Sequence, residues 1–482
     1  MVSAIEQPLA QLKDGSISFW GALAISFGNM APAASVIFLP QAMAQFTGTR
    51  VPLAFVFAMI GAFFTASSII YFARRFASAG AAYTFNRIAF NKVIGFSSGW
   101  MLFFSYGLNF PANMLVFGYF ASGVFSQVFG IHFSWAIFAA LAMFVVVYMV
   151  IRGIRTSARV DLVLLIVESL IILVLAFVIV LHGGAQGNTG EVFSPEGSPH
   201  GWMGILFGML YGVGAFAGFE ASATVAEETR NRYRTIPLSI FVTLAAGGLF
   251  YIFVAYAIAI GYGIGHGHEL ATANLPLSIL ANRYVGSWMA TAVNLAGMTS
   301  AFGIALASAN ASARVMYAMG REGVIASWLG RLHKKYATPS YAAWFIFAIS
   351  VLLVWLFGAF MQPYPNGFSA IAAGADLLGL VLYILINIGW IRLWMKAENH
   401  FSISFIRGVI PSALGTLIML IPFVASIVPM PAWPLDVVIY FTIAYAFVGI
   451  FVGWRAKDLP LLMKEPSAGT ISTGSTDQKL DV

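Results

Sequence analysis

The sequence predicts an all-α integral membrane fold of twelve transmembrane helices. Three observations carry this. Of 482 residues, 60% are hydrophobic and only 9% are charged; mean hydropathy is +0.87; and the apolar residues form long runs between short polar connectors. A crossing takes roughly 20 apolar residues, so each run is long enough to span a bilayer.

The runs fall at about 18–46, 52–77, 95–127, 133–151, 160–182, 201–227, 237–263, 286–318, 339–361, 369–394, 408–428 and 434–455. The longest are taken as single tilted or broken crossings. Span one contains ISFGNMAPAASVIFLPQ (Ile25 to Gln41), with Gly28, Asn29 and Pro32 inside an apolar stretch. Pro32 removes a backbone donor and strains the preceding turn, which either kinks a packed helix or breaks it. The other interrupted span is six: Gly212, Gly214 and Gly218 interrupt it, Glu220 follows, and the segment closes with Glu227, Glu228, Arg230, Arg232 and Arg234. A lipid-facing helix gains nothing from clustered glycines or an ionisable group, so such a segment lines a cavity enclosed by protein. After span eight, Arg321 to Tyr336 (REGVIASWLGRLHKKY) mixes apolar and basic residues as an interfacial amphipathic helix would.

Broken spans one and six lie five apart, and an odd offset reverses orientation in the membrane. Two five-span units, 18–182 and 201–394, are therefore expected to form an inverted repeat, with a substrate site where the breaks meet. Spans eleven and twelve (408–455) follow. Polar segments 1–17 and 456–482 flank the membrane part, and the Ser/Thr/Gly-rich tail has too few apolar residues to fold.

Lys and Arg collect after even-numbered spans: Arg74, Arg75, Arg87 and Lys92 after span two, for example, and Arg230, Arg232 and Arg234 after span six. Only Arg50 and Arg283 fall on the other side. By the positive-inside rule both termini are cytoplasmic, and the lipid bilayer is the chain's surroundings. The net charge of +7 is thus an orientation signal spread over short alternating loops, with no basic face for nucleic acid. The chain has no cysteine, which excludes disulfides and thiolate metal sites. Its histidines (His132, His182, His200, His266, His268, His333 and His400) fall in or beside loops without forming a metal constellation. No Walker loop, dinucleotide fingerprint or nucleophile motif is present, so neither an enzyme activity nor a cofactor is expected.

Several ordered segments resemble the amino acid/polyamine/organocation (APC) superfamily of secondary transporters. GFEASATVAEETRNRYRTIP (Gly218 to Pro237) is similar to its Gly-Phe-Glu, Glu-Glu, Asn-Pro-x-Arg-x-Ile-Pro signature, with Arg232 in place of the usual proline. ARRFASAGAAYTF (Ala73 to Phe85), Gly99-Trp100, GIRTSARVDLVLLIVE (Gly153 to Glu168) and ARVMYAMGREGVIASWLGRLHKKYATP (Ala313 to Pro339) extend the likeness through span ten. The resemblance implies a leucine-transporter-like fold of five plus five inverted spans and two more. It also implies a small-molecule substrate, an amino acid or amine, held at the breaks by Ser26, Gly28, Asn29, Ala33, Ala34 and Ser35 of span one and Tyr211, Gly214, Phe216, Ala217 and Gly218 of span six. Two departures stand out. Span one reads Pro32-Ala33-Ala34-Ser35 where relatives often have glycines, and Gly214 occupies the usual place of an aromatic gate, which Phe216 or Tyr211 could supply instead.

Glu168 lies nine residues into span five from Arg159, roughly 13 Å at 1.5 Å per residue, and so close to the bilayer midplane. In proton-coupled relatives this position, fifteen after the motif glycine, often carries lysine. A carboxylate here is read as a protonation switch that couples transport to a proton. A fixed hydrogen bond, a contact to a substrate amine, and a sodium site completed by Thr299 and Ser300 are the alternatives. Glu220 is read as stabilising the break or a helix terminus, Asp376 as a helix cap or loop contact with a cationic substrate as the alternative, and Glu227 and Glu228 as partners of loop arginines or a solvated charge run. The overall expectation is a permease for a neutral amino acid, because acids other than Glu220 are scarce in spans one and six. A polyamine or amine permease, an exchanger, and a channel or receptor are the competing readings.

Overall fold

The computed structural model describes residues 15–76, 82–273, 275–397, 403–428, 433 and 435–455. Most of the expected amino-terminal segment, the whole tail from 456, Ala77 to Ala81 and His400 lie outside them. The helices, in order, are α1 (Phe19–Met30), α2 (Pro32–Thr47), α3 (Val51–Ala73), α4 (Ala82–Ala89), α5 (Lys92–Phe129), α6 (Trp135–Arg152), α7 (Ile154–Leu181), α8 (Gly201–Phe216), α9 (Arg232–Tyr262), α10 (Gly267–Thr272), α11 (Pro276–Tyr284), α12 (Ser287–Arg321), α13 (Ser340–Phe360), α14 (Phe368–Lys396), α15 (Phe405–Gly408), α16 (Ile410–Ala425) and α17 (Leu435–Arg455).

Eleven stretches among the described residues are helical, long and apolar enough to cross a membrane. The remaining expected crossing coincides with α5, which is 38 residues long and is not one of the eleven. Its polar side chains Ser105, Asn109 and Asn113 lower its hydropathy, and it packs inside the bundle along α12, α14 and α6. The outer helices show the opposite pattern. On α7 the exposed residues Val163, Ile166, Val167, Leu170, Val174, Phe177 and Leu181 follow one another every three or four positions, while Ile172, Leu175, Ala176 and Ile179 are buried. That spacing is one face of a helix, and it turns Glu168, 3% exposed, toward the interior.

Both expected breaks are present. Span one is interrupted at Ala31, which takes a left-handed conformation (φ 43°, ψ 72°), and Pro32 then opens α2. Proline suits a first helical position, where its missing N–H has no partner to lose. In span six the break lies later than the glycines suggest: α8 runs unbroken through Gly212 and Gly214 to Phe216, and the chain re-forms as a 3₁₀ helix at Ala221–Glu228. Gly212 serves packing instead, since a Cβ there would come within 2.9 Å of Ala58 on α3. The glycine the break needs is Gly218, at φ +94°, where a Cβ would sit 2.6 Å from that of Asn29. The two breaks therefore touch.

The expected amphipathic helix after α12 does not form. Only a 3₁₀ turn at Ser327–Gly330 interrupts an irregular path, because the segment folds back on α12: a Cβ at Gly320 would lie 2.5 Å from the Gly330 nitrogen. The short helix at this level of the fold is α4, which buries Ala82, Tyr83, Phe85, Asn86 and Ala89. Tyr83 and Arg87 of α4 both bond Glu322, beyond the end of α12. Nearby, Arg314 of α12 pairs with Glu228 at 3.1 Å, deep in the protein. The backbone of Ile17 bridges the same place, donating to Glu228 O and accepting from Arg230 N–H.

Candidate functional site

A cavity of about 520 Å³ lies where the breaks meet. From span one its wall takes Asn29, Met30, Ala31, Ala34 and Ser35, and from span six Tyr211, Gly214, Ala217, Gly218 and Glu220. Four of the expected contacts stand outside it. The Ser26 hydroxyl accepts the Ser222 N–H at 3.0 Å, tying the half-helices together behind the cavity. Phe216 packs edge-on against Tyr251, so of the two candidate gates only Tyr211 reaches the wall. Ala33 and Gly28 are buried in the helices without lining the space.

The backbone donors at the breaks are largely consumed. Pro32 has none. Ala31 N–H donates to Phe27 O, Ser35 N–H to Ala31 O, and Ala34 N–H to Ser300 Oγ at 3.1 Å. In span six Ala217, Phe219, Ala221 and Ala223 donate to nearby carbonyls and Gly218 to Tyr383 Oη. On the acceptor side, the Tyr251 hydroxyl lies 3.0 Å from Met30 O and 2.8 Å from Ala215 O, one carbonyl from each break. Helices α1 and α8 also direct their C-terminal ends, the negative ends of their dipoles, at this region.

Span three and α14 supply residues that sequence reasoning missed. On α5, Ser105, Tyr106, Asn109 and Asn113 line the cavity; Ser105, Asn109 and Asn113 recur every four residues, the one signal that could have marked this face. Tyr106 donates to Glu220 Oε1 at 2.7 Å and Tyr383 of α14 to Oε2 at 2.8 Å. Glu220 thus fastens the span-six break to two other helices.

Asp376 departs most from expectation. It is no cap: it lies in the third turn of α14, and its carboxylate faces the cavity opposite Gly214. A Cβ added at Gly214 would stand 3.4 Å from Asp376 Oδ2. Though enclosed by the bundle, Asp376 is open to the cavity, and among the described residues no hydrogen-bond or ion-pair partner reaches it.

Glu168, Thr299 and Ser300 come together beside the cavity. Thr299 Oγ1 lies 3.4 Å from Glu168 Oε2, and Ser300 also hydrogen-bonds the carboxylate. Because Ser300 accepts the Ala34 N–H, Glu168 is connected through one hydroxyl to the start of α2. Glu228 pairs with a helix arginine, Arg314, where a loop arginine was expected; the side chain of Glu227 lies outside the described set.

Comparison with known proteins agrees with this architecture. The chain is 28% identical over 323 residues to the branched-chain amino acid permease BcaP of Bacillus subtilis, covering 64% of this chain and 67% of that one. It is 27% identical over 379 residues to the low-affinity putrescine importer PlaP of Escherichia coli, covering 75% and 78%. To BcaP of Lactococcus lactis it is 25% identical over 388 residues, covering 77% and 80%. The amino acid permease family profile matches residues 17–452. With that match across nearly all of the helical bundle, the chain belongs to the amino acid permease family, whose members are transporters.

Proposed function

We propose that the protein is a secondary active permease that moves a small amino compound across the cytoplasmic membrane by alternating access, with both termini in the cytoplasm. The observation that carries this is the cavity at the contact of two broken spans, where Gly218 packs against Asn29. The C-terminal ends of α1 and α8 and the carboxylates of Glu220 and Asp376 suit an ammonium group, which the substrates named for the relatives share. Broken helices let the halves tilt separately, so one unit (18–182) can rock against the other (201–394) around the bound molecule. The case for a neutral amino acid weakens, since it rested on a scarcity of acids and the cavity holds both Glu220 and Asp376.

Glu168 is assigned the coupling role. A carboxylate that gains a proton no longer accepts from the Ser300 hydroxyl in the same way, and Ser300 holds the first turn of α2 through Ala34. Proton binding is thereby connected to the span-one break. The side-chain oxygens of Glu168, Thr299 and Ser300 support sodium as a second reading. Uptake into proteoliposomes tests the whole: a carrier gives saturable, gradient-driven accumulation, whereas large currents without saturation indicate a channel. Imposing proton and sodium gradients separately distinguishes the two coupling ions.

A further inference from the structure

At the Arg152 end of α6, the connection from α12 to α13 gathers cations without counter-charges. Arg152, Arg331, Lys334 and Lys335 are all exposed, and among the described residues no carboxylate pairs with any of them. This is the segment whose pattern predicts an interfacial position; it forms no amphipathic helix, and a turn positions its cations instead. Thr338 Oγ1 donates to Ile151 O at 2.8 Å, which fastens the connection to the last turn of α6. The turn closes on His333, whose N–H donates to Thr338 O at 2.8 Å and whose Nδ1 accepts the N–H groups of Lys335 and Tyr336 at 3.2 and 3.3 Å.

Arg152 is oriented from two sides. Its Nε donates to Tyr148 Oη at 2.7 Å, and its guanidinium lies 4.9 Å from the centre of the Tyr148 ring and 5.5 Å from that of Tyr336. Lys335 Nζ lies 5.6 Å from the same Tyr336 ring. The terminal nitrogens of Arg152 make no hydrogen bond among the described residues. A fork of donors that matches two oxygens of a phosphate is thus held in place and left open.

Next to these cations the surface is apolar. Leu141, Phe144, Val145 and Tyr148 are each about half exposed, and together with Arg152 they follow one another every three or four residues. The arginine therefore ends the outward stripe of a membrane-spanning helix. On α13, Trp344 is 49% exposed and contacts Phe347 at 5.5 Å, and Phe347 meets Phe144 of α6 at 4.9 Å. A guanidinium at the head of an apolar, aromatic wall matches a molecule with an anionic head and acyl chains. A soluble anion would use the cations but not the stripe.

We propose that Arg152 and Lys335, with the stripe beside them, bind one anionic phospholipid in the leaflet that meets this end of α6. The phosphate takes the terminal nitrogens of Arg152, Lys335 adds a second positive charge, and an acyl chain lies over Phe144 and Phe347 beside Trp344. The lipid bridges α6 and the α12–α13 connection. This site does not depend on which compound the protein carries.

Native mass spectrometry of the full-length protein in detergent tests this, with phosphatidylglycerol and phosphatidylcholine of the same acyl chains as probes. One phosphatidylglycerol is expected to be retained at concentrations where phosphatidylcholine is not. Arg152→Gln should weaken that first binding event about tenfold to a hundredfold, the range of a hydrogen bond to a charged group. Lys335→Gln, in the exposed turn, should weaken it in the same direction without touching α6. Arg455→Gln removes an exposed arginine that rests on Phe451 at the end of α17 and should leave binding unchanged. Equal retention of the two lipids overturns the site, and so does full retention by both Arg152→Gln and Lys335→Gln. A loss in Arg455→Gln as large as in Arg152→Gln overturns it in favour of diffuse surface charge. Displacement of the lipid by equal concentrations of glycerol 3-phosphate, which has no acyl chain, or of a hexaglutamate peptide overturns the lipid as occupant and assigns the cations to a soluble anion or an acidic protein segment.

Discussion

The buried ion pair between Glu228 and Arg314 gives the sharpest test of how the second break is held. The side chains are 3.1 Å apart and only 6% and 2% exposed, and they join the 3₁₀ half of span six to α12. Glu228→Gln removes one charge and strands the other in a dry environment. Breaking a buried pair in this way costs about 3–5 kcal/mol, most of it the penalty of an uncompensated charge. Each 1.4 kcal/mol is tenfold, so the folding equilibrium is expected to shift by roughly 10²- to 10⁴-fold. Denaturant unfolding of the detergent-purified protein reads this directly. The double substitution Glu228→Leu with Arg314→Met removes both charges, and apolar replacements of a buried pair are often neutral or stabilising; it should recover most of the loss. A Glu228→Gln cost below about 1 kcal/mol, the value of a surface pair, would refute the reasoning. So would a double variant less stable than either single one.

Other substitutions probe the breaks and the coupling. Gly218→Ala places a Cβ 2.6 Å from that of Asn29 in a left-handed conformation; strain of about 1–2 kcal/mol and overpacking of about 1–3 kcal/mol should lower thermal stability and abolish uptake together. Tyr383→Phe leaves Glu220 Oε2 and the Gly218 N–H each one partner short, and a loss of about 1–3 kcal/mol per unsatisfied group is expected in the unfolding midpoint. Glu168→Gln keeps the shape but cannot exchange a proton, so accumulation driven by a pH gradient should disappear while exchange of substrate across the membrane persists. Full pH-driven accumulation by that variant would remove Glu168 from the coupling role.

The spans and the existence of two breaks were legible because their causes are local. Apolar runs of membrane length have few alternatives to a helix, and Pro32 and Gly218 impose their backbone effects on their own neighbours. The exact place of the second break was not legible. Glycine permits a break but does not require one, and Gly212 and Gly214 turned out to serve close packing and open space within α8. The segment after α12 misled for a related reason: its amphipathic pattern was real, but Gly320 and Gly330 allow a close return of the chain that the pattern does not encode.

The hydropathy and the Gly/Pro interruptions determined by themselves that this is a polytopic helical membrane protein with two broken spans, and the ordered motifs pointed to its family. Only the tertiary structure decided what the breaks face. Asp376, Tyr383, Tyr106 and Glu220 come from three spans far apart in the chain, and whether a carboxylate caps a loop or opens onto a cavity depends on how α5, α8 and α14 pack. Helix periodicity fixes which residues share a face; it does not say which face meets the centre. In a bundle where aromatic and aliphatic residues occupy every helix, that choice is made by close contacts between helices, such as Gly218 on Asn29, and by hydrogen bonds such as Ser105 to Ala375.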